Sequence, residues 1–234
     1  SFLRSLPGVD SDRIGITGIS WGGYLTCLTA AVDNRFKLAV PVYGCGFLGE
    51  NSVWTSQIEK LGATGEKWLT LWDPKHYLPF VNIPTLWVDG TNDFAYPLDS
   101  LQKSYRLTKA TQTLCIRVRM PHGHGGAGEN PAEILAFADN ILRSSQPLVK
   151  VTGQGHENDR AWITYENAAS SIKAELLFTK DTGRWQGRKW ETLKAFVNPK
   201  TKNVTAILPQ GVTVYYINII DKNGLTVSSE HVEL

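Results

Sequence analysis

Apolar and polar positions change their rhythm near residue 146. Before it, short apolar runs alternate with segments whose apolar residues recur every three or four positions. After it, only short β-like runs remain. Residues 13–17 read as a strand, and 24–32 as a helix with Leu25, Leu28 and Ala31 at helical spacing. Residues 36–43 read as a buried strand that Pro41 bends near its end, and 83–89 and 113–120 as further strands. Helices are expected over 98–109 and over 131–144, where Ile134, Leu135, Phe137, Ala138, Ile141 and Leu142 are apolar. Ahead of all this, residues 1–12 read as the end of a helix broken by Pro7-Gly8. The pattern predicts an α/β sheet with flanking helices over residues 1–145.

From 146 onward, β-like runs fall at 161–165, 173–179, 192–197, 204–208, 212–219 and 225–232. The turn signals Asp181-Thr182-Gly183, Asn198-Pro199-Lys200, Pro209-Gln210-Gly211 and Asp221 to Gly224 separate them. Strands at that spacing without helices predict a small all-β sandwich-like domain over residues 146–234. Trp185 and Trp190 read as its core, with a carbohydrate-binding face shared with Arg184 and Arg188 as the alternative.

Composition adds exclusions. The 42% hydrophobic content is ample for packed cores, and the net charge of +2 comes without a basic run interleaved with aromatics, so nucleic acid is not an expected partner. No apolar run approaches the roughly 20 residues that cross a bilayer, so no membrane partner is expected, and Ser1 to Arg4 does not read as a signal peptide. Cys27, Cys45 and Cys115 lie in apolar segments without metal-ligand spacing and read as buried thiols. The compartment stays undecided on these grounds.

The chemistry concentrates at Gly18-Ile19-Ser20-Trp21-Gly22, set between the first strand and the first helix. A serine hydroxyl is a weak nucleophile until a tight turn lifts it toward a histidine base, and Gly-x-Ser-x-Gly between strand and helix is built for that. The Trp21 amide, at the helix N-terminus, is expected to supply one oxyanion-hole donor. Asp93, in the turn Gly90-Thr91-Asn92-Asp93 after a buried strand, stands where the acid of a Ser, Asp, His order belongs; Asp89 and Asp99 are worse placed. The loop from Pro121 to Gly128 follows the last strand and offers two histidines. His122 is closer to the strand and is preferred as base; His124, flanked by glycines, is the alternative, or a neighbour that orients the loop or contacts substrate. A His-x-His metal site lacks a third ligand nearby, so no metal and no cofactor are expected. Within residues 47–80, read as an insertion over the C-terminal edge of the sheet where ligands bind, Trp54 and Trp72 are candidate substrate-binding residues.

These motifs resemble the acetyl xylan esterase and cephalosporin-C deacetylase branch of the α/β-hydrolases, related to the dienelactone hydrolases. The resemblance rests on residues 12–23, on Gly90 to Asp93, and on the His122/His124 loop with residues 133–139. A looser one links residues 214–221 and 228–231 to the β-rich extension of some bacterial secreted esterases. It implies a serine esterase acting through an acyl-enzyme on a small ester or acylated carbohydrate such as xylan, in a secreted or periplasmic setting. It also implies that the chain is the C-terminal part of such a fold. The strands and second oxyanion donor that precede the elbow are expected upstream in a longer protein or from a second chain or oligomer. Two alternatives stand: a prolyl-oligopeptidase-like serine peptidase, suggested by Gly-x-Ser-x-Gly-Gly and Gly123-His124-Gly125, and a non-catalytic carbohydrate-binding or assembly module.

Overall fold

The computed structural model describes residues 2–166 and 172–234; Ser1, at the start of the expected N-terminal helix end, lies outside them. In that first segment the described residues form one 3-10 turn, Leu3–Ser5. Four parallel strands follow: β1 (Ile16–Ile19), β2 (Ala39–Val42), β3 (Thr85–Gly90) and β4 (Gln112–Arg117). Between and after them come α1 (Trp21–Val32), α2 (Thr55–Lys60), α3 (Ala63–Trp72), α4 (Leu98–Leu107) and α5 (Ala132–Arg143).

Because side chains alternate across a strand, each strand serves two cores. Ala39, Trp87, Leu114 and Ile116 pack with Tyr24, Cys27 and Ala30 of α1 and with Leu98, Leu101 and Tyr105 of α4. Val40, Val42, Leu86, Val88 and Cys115 face the other way, onto Phe137, Ala138 and Ile141 of α5. Each fully buried aliphatic side chain of this kind contributes roughly 1.5–3 kcal/mol. Pro41 lies inside a central strand. The β2–β3 ladder pairs Ala39 with Thr85 and Val42 with Val88 and skips the positions between, so the missing N–H falls in a gap.

The C-terminal strands do not stand apart. These are β5 (Lys150–Glu157), β6 (Arg160–Glu166), β7 (Ile172–Thr179), β8 (Trp190–Lys194), β9 (Phe196–Asn198), β10 (Asn203–Ile207), β11 (Val214–Asp221), β12 (Thr226–Ser228) and β13 (Val232–Glu233). The first sheet runs β1-β2-β3-β4-β12-β11-β7-β8, with β13 on β11, and an antiparallel second sheet runs β5-β6-β10-β9. The seam is β12 against β4, where Ser228 is opposite Leu114. Side chains reinforce it: the Ile116 N–H donates to Ser228 Oγ at 2.8 Å, and Asn218 Nδ2 donates to the Ile116 carbonyl at 3.1 Å. The two sheets do enclose a core, with Leu176, Phe178, Tyr215 and Ile217 facing Ala161, Ile163 and Val204. The reverse side of β7 and β11, through Leu177 and Tyr216, belongs to the core of α1 and α4. The division at residue 145 therefore runs through a shared sheet and a shared core.

Strand β5 has no counterpart among the sequence-based expectations, because Gly153 and Gly155 interrupt its apolar pattern. Their reason is across the hairpin: a Cβ on Gly155 would lie 2.9 Å from the Trp162 ring, so the glycines make room for the indole.

Candidate active site

At the end of β1 the backbone turns sharply. Ser20 has φ 54° and ψ −119°, a conformation strained for a residue with a side chain, and α1 begins at the next residue. The turn is held by the Ser20 N–H on the Val42 carbonyl at 3.0 Å and by the Tyr24 N–H on the Ser20 carbonyl at 2.9 Å. Glycines make the close approach possible. A Cβ on Gly18 would meet the Gly22 backbone at 2.5 Å, and one on Gly23 would meet the Val42 carbonyl oxygen at 2.6 Å. Gly22 itself has open space around its Cβ position, so it matters as the floor beneath Gly18. Trp21 is the first residue of α1, and its N–H has no partner earlier in the helix.

The partners of Ser20 come from the ends of β3 and β4. His122 Nε2 lies 2.8 Å from Ser20 Oγ, and His122 Nδ1 lies 2.6 Å from Asp93 Oδ2. With Nδ1–H donating to Asp93, the tautomer leaves Nε2 free to accept from the serine hydroxyl. Asp93 is 2% exposed; its other oxygen accepts from the Ala95 and Tyr96 N–H groups at 2.8 and 2.7 Å. That carboxylate is therefore fixed in orientation by its own turn. The neighbouring Asp89 is buried with no cation beside it. Desolvation, then the charge of Asp93, pushes its carboxyl well above the ordinary range, while the Gly90 N–H on Oδ1 opposes this.

Aromatic rings enclose the histidine. The rings of Tyr43 and Phe94 lie 4.3 and 4.8 Å from the imidazole of His122, and Tyr96 stacks at 6.3 Å. Tyr43 also donates to the Gly123 carbonyl, and Gly128 has no room for a Cβ because the Tyr43 ring occupies it. Trp54 continues the aromatic surface, 4.8 Å from Trp21 and 5.3 Å from Tyr96 between ring centres. Spacing alone does not reveal Tyr43, Phe94 and Tyr96. Their only trace in the sequence is position: Tyr43 directly follows β2, and Phe94 and Tyr96 lie in the segment between β3 and α4, on the edge where α/β sheets bind ligands.

Two expected residues lie elsewhere. His124 is 82% exposed and faces Glu129, with Nδ1 3.8 Å from Oε1, so it is not brought to Ser20 or Asp93. Glycines on both sides give that segment freedom, but Tyr43 anchors the loop at Gly123 and leaves His124 outside. Trp72, at the end of α3, is about half exposed and touches this region only through its backbone carbonyl, which accepts from the Tyr24 hydroxyl; its indole does not join the Trp21–Trp54–Tyr96 row. Trp185 and Trp190 are buried, but in the core around α1 and α4 and not in the core between the two sheets where a sandwich would hold them. Cys27, Cys45 and Cys115 are buried and unpaired, and burial pushes the Cys115 thiol up to about 12. Among the described residues no group of three His, Cys, Asp or Glu side chains is arranged to hold a metal ion.

A second structural tie reaches the site from the β7–β8 connection. Asn92, beside Asp93, donates through Nδ2 to the Arg188 carbonyl at 2.7 Å, with the Gln186 and Trp185 carbonyls at 3.1 and 3.3 Å. Gln186 Nε2 donates to the Asn51 carbonyl at 2.8 Å. The β-rich region thus touches the turn that carries Asp93.

A strained serine between strand and helix, on a sheet of this order, defines a serine hydrolase of the α/β-hydrolase fold. The chain belongs to the prolyl oligopeptidase family, whose model matches residues 1–145. Among solved structures, an acetyl xylan esterase from Paenibacillus sp. R4 is similar at 22% identity and TM-score 0.52, over 60% of this chain and 49% of that one. An acylaminoacyl peptidase of Pyrococcus horikoshii is similar at 26% identity and TM-score 0.50, over 63% of this chain and 27% of that one. The chain thus spans about half the length of the first and about a quarter of the second. No curated protein matches.

Proposed function

We propose that Ser20, His122 and Asp93 form the catalytic triad of a carboxylic ester hydrolase that removes small acyl groups from carbohydrate. The unbroken row from Ser20 Oγ through His122 to Asp93, at 2.8 and 2.6 Å, carries the reading. His122 takes the serine proton as Oγ attacks the ester carbonyl, and Asp93 holds the imidazole in position and stabilises its cation. The Trp21 N–H donates to the developing oxyanion. His122 then returns the proton to the departing alcohol, and water attacks the acyl-enzyme by the same route.

The ester and carbohydrate preference is supported by the surface beside the nucleophile. Trp21 and Phe94 are about half exposed and Trp54 adjoins Trp21, offering flat apolar faces on which sugar rings stack. The fold likeness to an acetyl xylan esterase agrees with this. A peptidase is the second reading, supported by the family match and by the likeness to an acylaminoacyl peptidase. The test is turnover of p-nitrophenyl acetate and release of acetate from acetylated xylan, set against acyl-amino-acid anilides. Ester turnover that disappears in Ser20→Ala supports the first reading; faster anilide cleavage overturns it in favour of the second.

A further inference from the structure

A solvent-open pocket of about 310 Å³ is lined by His122 together with Asn92, Phe94, Arg119, Arg188 and Lys189. Three cations and no carboxylate line it. Arg188 is only 9% exposed, and its Nη1 has no hydrogen-bond partner, while Nε and Nη2 donate to the Gly183 carbonyl at 3.2 and 2.9 Å. Its guanidinium is also stacked 3.7 Å above the Trp185 ring, and its backbone carbonyl is held by Asn92. Glu233, Asp99 and Asp181 favour the cation through their charge, and none of them is hydrogen-bonded to it. Arg119 is set by a left-handed turn, φ 49°, and by its N–H on Thr91 Oγ1. Nη1 is itself closed off from solvent, so Arg188 acts on the pocket through its field, while the exposed Arg119 and Lys189 are the cations that an arriving anion can touch.

We infer that this pocket binds a carboxylate on the leaving-group side of the substrate. The side follows from chemistry: His122 protonates the departing alcohol, so the alcohol portion lies against the base and the pocket beside it. The substrate class is then an acyl ester of an alcohol that carries a carboxylate, such as an acylated uronic acid unit, in preference to a neutral sugar ester. This rests on the serine-esterase reading of Ser20. It adds a role for the β7–β8 connection: Arg188 and Lys189 come from the β-rich region, so that region selects substrate for the site on the α/β region.

The experiment compares 3-acetoxybenzoate with 3-acetoxybenzamide, which differ in leaving-group charge, for the full chain and for Arg188→Gln and the exposed pair Arg119→Gln/Lys189→Gln. The ratio of kcat/KM for the carboxylate to that for the amide is expected to fall about tenfold in each variant. The exposed pair keeps the test meaningful where Arg188→Gln fails to fold. An unchanged ratio overturns the inference while leaving the esterase reading intact. Titration calorimetry with the product analogue 3-hydroxybenzoate separates the two questions. Binding to the wild-type chain that is lost in the exposed pair supports the pocket even where no ester is turned over, and absence of binding to the wild-type chain overturns it.

Discussion

Tyr43 donates its hydroxyl to the carbonyl of Gly123 at 2.7 Å, joining the residue after β2 to the residue after His122 across 80 positions of chain. The same ring stands 4.3 Å from the His122 imidazole, so one side chain contacts both the loop and the ring. Tyr43→Phe keeps the ring and removes the tether. A net hydrogen bond of about 0.5–1.5 kcal/mol predicts a two- to tenfold loss of kcat with KM little changed. Steady-state kinetics on p-nitrophenyl acetate checks it, and an unaltered kcat would show that packing alone positions the loop.

His122 and His124 should separate cleanly. His122→Ala and Asp93→Asn are expected to lower kcat by roughly three to four orders of magnitude, because each breaks the proton path or its orientation. His124→Ala, at an exposed position remote from Ser20, should retain wild-type kinetics. Labelling of Ser20 by a fluorophosphonate gives an independent readout of the same contrast.

Asp89 carries a pH-dependent burden. Its folded-state pKa is raised above the ordinary 3.8 by burial and by Asp93. From that ordinary value up to the raised one, the folded chain binds a proton that the unfolded chain has lost. Stability from this group therefore declines as pH rises through that window. Asp89→Asn removes the slope while keeping an acceptor for the Gly90 N–H. Its Tm should exceed that of the wild type increasingly from about pH 4 upward, and a lower Tm at pH 7 would refute the account.

Glu133 is fully buried in α5 and accepts from Arg117 Nη2 with both oxygens at 2.7 Å, and from the Thr226 N–H at 2.7 Å. Removing it leaves a guanidinium and a backbone donor unpaired together. Glu133→Ala is expected to cost roughly 3 kcal/mol, at the low end for a buried pair because Arg117 keeps some contact with water. Urea denaturation reads the change directly, and a loss below about 1 kcal/mol would mean that the pair is replaced by solvent.

Elements encoded by local periodicity were legible without coordinates: β1, α1, β3, α4, β4 and α5 all announce themselves by spacing and by flanking glycine or proline. Ser20, Asp93 and His122 were legible for a related reason, since each follows a strand in the order a hydrolase sheet requires. What depends on partners distant in sequence was not. The glycines of β5 make sense only against Trp162, and the reach of Tyr43 to Gly123 leaves no periodic mark. The seam between β12 and β4 rests on a single residue pairing and on the polar side chains of Ser228 and Asn218; both fall in runs that read as strands, but nothing in that pattern says which strand they meet. It is His122, one residue before the Tyr43–Gly123 tether, and not His124 that lies against Ser20.

The seam has a further meaning for how the molecule folds. A chain ending at residue 145 would leave β4 as an open edge and strip the covering of Tyr216 and Trp190 from the core around Leu98, inviting edge-to-edge association. The change of rhythm near residue 146 is a change of local architecture inside one continuous sheet, and heat is expected to melt both regions together, with tryptophan fluorescence and far-ultraviolet dichroism reporting one coincident transition. Two separated transitions would show that the sheet is continuous in geometry but divided in energy.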